Sequence, residues 1–552
     1  ATAGTDNVRL GENAGDSIAS GGANNVTVGK NAGTAITTGK KATLIGAEAG
    51  EALVDGDNNT AVGYQALTSD TNGEKSVAIG TFALTAQNQS SLTDTHNTAV
   101  GYQAGTSVTT GTSNTFIGAR NGDAVTTGVS NVAVGDEALG SETTANRSVA
   151  VGVGALLNQN VGGGTNAYNV AIGHAAGNQI TTGVENTIVG ALAGDALTTG
   201  EMTALGFRAG SSQTTAVGNV LVGSLAGDQI TTGGNNTAMG SQALANNQTS
   251  TENTAIGHDA LRYLTTGSEN VAIGSEAGDN LTVGRQNVAV GNQALSGDGN
   301  GGRSVAVGAT ALKIADAAGG SDNLSYNVAV GYGAGQDVTT GYYSTMIGGF
   351  AGDDMTSGNR NMYLGYGSTA SSGTVQGEIA IGYEITGVGG SYFVFGNNSV
   401  GRVYNEFDAN ASWTRTSDER IKKDIQTNTD CGLAFINDLR TVTYKWKAPS
   451  EHPEAFVSYD PDVTEASYTK KMYGFIAQEV KQAMDDHNIT GFNGWHVKEG
   501  NGDQQGVSYE MFVMPLVKAV QELSAKVTTL ETQNTTQATQ IADLITRVEA
   551  LE

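Results

Sequence analysis

Along most of the chain one pattern recurs, N-V/T-A-V/I-G, as in NTAVG at 97–101, NVAVG at 131–135, NVAIG at 169–173, NTAIG at 253–257 and NVAVG at 287–291. Its side chains alternate. The two β-branched residues face one way and the alanine the other, which is the period of a half-buried strand. Glycine closes each strand and permits a turn that other residues resist. The closing glycines run from Gly29 to Gly382, mostly in steps of 17, with one step of 16 and three of 21, 21 and 23. A fixed short period predicts a mainly β fold: a parallel β-roll or β-solenoid with 17-residue coils. A second signal, T-T-G, falls between strands at 109–111, 126–128, 181–183, 198–200, 231–233, 265–267 and 339–341, and reads as the opposite corner. About 22 coils at roughly 4.8 Å each would stack to about 100 Å. Such a coil encloses little and buries its apolar face only against its neighbours. A core this thin predicts that several chains pack together.

The pattern stops near residue 416. Residues 1–416 hold 72 of the 79 glycines, no proline and 5 lysines; residues 417–552 hold all 4 prolines, 10 lysines and 7 glycines. This shift predicts a domain boundary. Both segments are acidic, at −18 and −8 of a total of −26. That argues against nucleic acid as a partner, because phosphate binding needs a Lys/Arg surface. No run of about 18 apolar residues exists, so no membrane insertion is expected. The single Cys431 excludes an internal disulfide and a Cys-based zinc site within one chain. The six histidines are scattered and form no ligand pair at helical spacing. The repeated A-G-D (193–195, 226–228, 277–279, 351–353) lacks the G-G-x-G-x-D pattern of calcium-binding rolls, so turn aspartates are expected. No cofactor and no metal are expected.

At the boundary stands TSDERIKKDI, residues 416–425. On residue types alone it is a helix start: Thr416 or Ser417 as N-cap, with Glu419 three residues after Thr416 as in a capping box. On an ideal helix Ser417 and Lys422 stand about 140° apart. They can meet only if Ser417 precedes the helix in a bent segment, or if Lys422 comes from another protomer. From Val513 onward a heptad holds without a slip. Positions a are Val513, Val520, Val527, Asn534, Ile541 and Val548; positions d are Leu516, Leu523, Leu530, Gln537, Leu544 and Leu551. This predicts a coiled coil, with Asn534 and Gln537 as polar layers that fix register. Valine at a with leucine at d leans toward a dimer.

Two resemblances add to this. The NVAIG-type units, over most of residues 8–400, resemble the head repeats of trimeric autotransporter adhesins and the collar and shaft repeats of phage fibres. That implies a homotrimer of left-handed parallel β-rolls, although a 17-residue unit is longer than the usual adhesin head repeat. The second resemblance rests on S-D-x-R-x-K-x-x-I, here Ser417, Asp418, Arg420, Lys422 and Ile425. With TVTYKWK (441–447), YGFIAQEVKQ (473–482) and VSYEMFVMPLVKAVQEL (507–523), it resembles the intramolecular chaperone auto-processing domain of phage tailspikes and fibres, the endosialidase-type peptidase family. The family cuts its own chain just before the serine. Carried over, the scissile bond is Thr416–Ser417, Ser417 is the nucleophile and Lys422 the general base. Such a lysine must be partly neutral, through burial or a cationic neighbour, for which Lys423 or Arg420 are candidates.

The expectation is therefore a phage tail fibre. Residues 1–400 are a β-roll shaft and 401–416 a neck. Residues 417–510 are an α+β chaperone domain, and 511–552 a helix and coiled coil. The chaperone would assist trimer assembly and be released by one self-cleavage, a single-turnover serine–lysine peptidase without external substrate. Partners would be two further copies, other virion tail proteins and a host cell-surface receptor; the location would be the virion tail, after assembly in the host cytoplasm. Tyr342, Tyr343, Tyr383 and Tyr392 belong to a late rise in aromatics and could stack on receptor sugars or pack a tapering neck. The alternatives are a bacterial surface adhesin-like fibre, and a non-cleaving structural fibre with a silent dyad.

Overall fold

The computed structural model describes residues 4–297, 299–315, 324–406, 414–415, 417–456, 458–466, 471–497 and 503–552. The chain divides into two compact units, Ala1–Thr416 and Ser417–Glu552.

The first unit is a parallel β-solenoid. Each coil contributes one short strand, such as Val132–Val134, which pairs in parallel with Thr115–Ile117 on one side and Val149–Val151 on the other. Like residues stack on like: Val132 lies opposite Val149 and Ala133 opposite Ala150. The three long steps keep this register, with Val77 opposite Thr98, Val149 opposite Val170 and Val305 opposite Val328. Ahead of the next strand the long coils add pairings: Gly73–Glu74 with Thr93–Asp94, Asn146 with Asn166, Gly302 with Leu324. The parallel run ends at Tyr392–Asn397, which pairs antiparallel with Gly401–Glu406. The expected boundary at residue 400 thus falls inside a hairpin. A reversed strand cannot template another parallel coil, so the hairpin ends the stack.

The alanines face inward and the flanking β-branched residues outward. Ala133 and Ala150 are fully buried, whereas Ile117 and Ile172 are each 41 % exposed. The interior is completed by the residue seven places after each closing glycine, such as Ile36, Leu53, Val108 and Leu264, all buried. Phe116 is a large inward exception. It fits because Gly105 and Gly122 flank it; a Cβ on Gly122 would lie 2.5 Å from its ring. The T-T-G corner is tied from coil to coil, with Thr109 Oγ1 donating to the Thr126 carbonyl at 3.2 Å and Thr126 Oγ1 to the Thr143 carbonyl at 2.9 Å.

The asparagine that opens each pattern forms a buried ladder, and this was not foreseen. Asn270 donates its backbone N–H to Asn253 Oδ1 at 3.0 Å and its Nδ2 to the Gly284 carbonyl at 2.8 Å. Its own Oδ1 accepts from the Asn287 backbone N–H at 3.0 Å. Replacing Asn270 by alanine leaves several buried polar groups without partners, at about 1–3 kcal/mol each. Asn270→Ala is expected to lower the unfolding midpoint and to speed amide exchange in coils 253–287. Unchanged exchange there would show that the ladder is ornamental.

The ladder changes residue at the long coils. Each has serine after a cation, in K/R-S-V-A: Ser76, Ser148 and Ser304. The shorter serine leaves a gap that an inward glutamine bridges. Gln159 Nε2 donates to Ser148 Oγ at 2.8 Å and to Glu142 Oε2 at 3.1 Å, while its Oε1 accepts from Asn169 at 2.8 Å. Gln87 does the same between Ser76, Asp70 and Asn97. In the third long coil the equivalent residue is Ala315, whose side chain has no hydrogen-bonding group, and Ser304 Oγ is buried without a partner among the described residues.

Candidate functional site

Ser417 opens the second unit. It is followed by one turn of 3-10 helix, Glu419–Ile421, whose N-cap is Asp418, one residue past the latest expected cap. Asp418 Oδ1 accepts from the Arg420 backbone N–H at 2.9 Å. The expected Thr416 cap, and Thr416 as the residue before the scissile bond, lie outside the described residues. Short polar residues followed by a charged turn give a brief helix here, not a long one. Both flanks are extended, Asp418 at ψ 134° and Lys422 at φ −106°, ψ 147°. This bent path returns Lys422 to Ser417: Lys422 Nζ donates to Ser417 Oγ at 2.5 Å. A regular helix would have held them apart. The two residues meet within one chain, so no second protomer is needed to bring them together.

Arg420 is held elsewhere. Its Nε and Nη2 reach Asp418 Oδ1 and Oδ2 at 3.0 and 2.6 Å. This pairing holds the Asp418 carboxyl below its usual range. Arg420 is therefore committed to a carboxylate and does not serve as the unpaired cation beside Lys422. Ser417, Lys422 and Ile425 are all exposed in the single chain. A nucleophile and an amine in contact can form a dyad, but an amine acting as general base must be held partly neutral, by burial or by a neighbouring cation.

The rest of the unit is built around a small core. The strands Val442–Tyr444 and Met472–Gly474 pair antiparallel. Helix α1 (Leu433–Asp438) and helix α2 (Ala477–Asp486) pack around Phe435, Val480, Ala483, Met484 and Phe512. Helix α3 runs from Val513 to Glu549. Its first turns have two working faces. Pro515 and Ala519 are buried in the unit, and Glu522 accepts from the Leu433 backbone N–H at 2.7 Å, capping α1. The a/d seam stays open: Val520 is 64 % exposed and Leu523 50 %. Tyr509 accepts from the Phe475 backbone N–H at 3.2 Å through its hydroxyl and stacks on that ring.

Residues 417–489 match the family model described as Chaperone of endosialidase. The second unit carries an endosialidase-type chaperone domain. The match starts at Ser417, where the compact unit also starts. No curated protein and no solved structure matches the chain. Within the chaperone domain, the quoted motifs now have physical roles: the G-F-I-A-Q-E-V segment leads from a strand into α2, Tyr509 clamps that junction, and Glu522 joins α3 to α1.

The four tyrosines named for receptor contact take part in several ring contacts. Tyr342 and Tyr343 cluster with Tyr326, with centroids of 5.4 Å for Tyr326–Tyr343. Tyr383 stacks on Tyr366, and Tyr392 lies 6.3 Å from Tyr404 in the terminal hairpin. The A-G-D aspartates sit at turns. Burial raises Asp195 and Asp353, and lifts Asp279 to about 6 with the help of Glu276 and Asp259. Among the described residues no three His, Cys, Asp or Glu side chains are placed to hold a metal ion, and no helix is long and apolar enough to cross a membrane.

Proposed function

We propose that the chain is a phage tail fibre in which the β-solenoid is the trimeric host-attachment region and the chaperone domain is an assembly aid that cuts itself off before Ser417. The observation that carries this reading is the Lys422 Nζ–Ser417 Oγ contact at 2.5 Å, at the first residue of the chaperone unit. Cleavage at that point would separate the two packed units and leave both cores intact. Ser417 Oγ would attack the Thr416 carbonyl as its proton passes to Lys422. The amine of Ser417 would then leave with a proton, and water would hydrolyse the resulting ester.

The family resemblances imply three copies, and each chain has two open surfaces that such an assembly would cover. One is the α3 seam. The other is the outward aliphatic stripe of the strands, in which Ile45, Ile117, Ile172, Met239, Ile273 and Ile347 are exposed in the single chain. Apolar surface of this extent and regularity is stabilised by burial against a like surface. The assembly would also supply the cover that the dyad lacks. Repetitive parallel coils invite register errors between chains, and a C-terminal clamp would suppress them. The mature fibre would sit on the virion tail, joined to other tail proteins and facing a cell-surface receptor, with assembly in the host cytoplasm.

Sedimentation equilibrium of the purified Ser417→Ala protein, which keeps both units, is expected to give three times the chain mass. Leu516→Asp with Leu523→Asp, two charges per chain in the seam, is expected to lower the yield of that species about tenfold or more. A folded monomer at micromolar concentration would sink the trimer.

A further inference from the structure

Aromatic rings line one corner of four successive coils near the end of the solenoid. Tyr332, Phe350, Tyr366 and Tyr383 follow the closing glycines Gly331, Gly348, Gly365 and Gly382 by one or two residues. Their centroids are 5.2, 6.1 and 5.6 Å apart in order. The first two contacts are edge-to-face and the last is stacked. The three tyrosines are 58 %, 50 % and 56 % exposed. The same corner carries a shorter run, Tyr64, Phe82 and Tyr102, in the early coils.

The solenoid does not need rings at this corner. Elsewhere in the column the position after the glycine is mostly small or polar, as at Ala119, Asp136, Ser224, Ser241, Ser275 and Asn292, although Val153 and Phe207 also stand there. Packing between copies does not explain them either. The aliphatic stripe, offered to other copies, runs the length of the coils, whereas the rings gather in two short runs, with Phe207 alone between them. A local ligand fits better. Rings at near-perpendicular angles offer both apolar faces and hydroxyl-bearing edges, the two kinds of surface that a sugar ring presents in return. The coil spacing pre-sets the rings, so little freedom is lost on binding. The surrounding residues 1–416 carry a net charge of −18, which disfavours a polyanion.

We propose that Tyr332, Phe350, Tyr366 and Tyr383 form a platform for an extended, neutral glycan; this rests on the fibre reading and names the class of receptor. The rings lie over successive sugar units, and the tyrosine hydroxyls exchange hydrogen bonds with sugar hydroxyls. The test is calorimetric titration of the full chain with three neutral hexamers (α-1,4-glucose, β-1,4-glucose and β-1,4-N-acetylglucosamine), with polysialic acid as the anionic control. At least one neutral hexamer is expected to bind. Tyr366→Ala with Tyr383→Ala is expected to weaken it about tenfold or more, with an unchanged unfolding temperature, while the corresponding Tyr→Phe pair loses less. The proposal falls if no neutral hexamer binds, if the alanine pair binds as wild type does, or if polysialic acid is preferred. It also falls if tetranitromethane fails to nitrate these tyrosines in the assembled protein, because a second copy then covers them. Self-cleavage and particle mass are scored on the same samples. A failure confined to sugar binding therefore removes the platform and leaves the fibre reading in place.

Discussion

Freshly expressed wild-type protein is expected to run as two bands on a denaturing gel, with the smaller fragment beginning at Ser417, while Ser417→Ala and Lys422→Ala remain whole. The reason is the contact between the two side chains, which places the amine where it can take the hydroxyl proton. Removing a nucleophile or its base lowers such reactions by about a thousandfold or more. Lys422→Arg is the sharper variant. It keeps charge, length and hydrogen-bonding capacity, but a guanidinium does not give up its proton in proteins. If Lys422 acts as a base, the arginine variant stays whole as well. If it only anchors Ser417, the arginine variant still cuts. Full-length chains in all four proteins would mean a silent dyad and leave the domain as an assembly clamp alone.

The largest structural effect is expected from one methyl group in the solenoid. Gly135 closes its strand at φ +132°, a conformation that side chains resist, and a Cβ there would lie 2.5 Å from the carbonyl oxygen of Gly152 in the next coil. That contact is with backbone, so nothing can swing aside. Gly135→Ala therefore combines conformational strain with a clash, about 3 kcal/mol or more together. Gly162 separates the two causes. It has φ +72° in a long coil, with nothing within 4 Å of a built Cβ. Gly162→Ala should cost only the conformational component, about 1 kcal/mol. Thermal unfolding of both variants checks the difference. Equal midpoints would mean that coil-to-coil contact at the glycine is not what demands it.

Much of this was legible because the fold is local and periodic. A strand that pairs with the next coil needs only the 17-residue period, so the solenoid and its register could be read from N-V-A-V-G. The boundary after Thr416 showed in the loss of glycine and the arrival of proline and lysine. The dyad was legible only as a motif, since no spacing rule for a regular helix brings residues five apart together. Other features left a signal that went unread. The asparagine of most units was visible, but its partners are a full coil away in sequence. The serine in K/R-S-V-A marked each long coil, yet in two of the three its meaning depends on an inward glutamine that fills the gap it leaves.

The amino-acid sequence, through its short periods, settled the coil length, the alternation of each strand, the heptad after Val513 and the change of domain. These follow from chain stereochemistry and from which side chains avoid water, and both act over a few residues. The three-dimensional packing decided the rest. It turned the alanines inward and the β-branched residues outward, with Leu44, Phe116, Ile188 and Tyr363 taking the same inward place in other coils. It bent Ser417 and Lys422 together around a single 3-10 turn, and it tied Arg420 to Asp418. It gathered Tyr332, Phe350, Tyr366 and Tyr383 into one column. Those outcomes depend on distances between residues remote along the chain, and such distances exist only once the chain has folded.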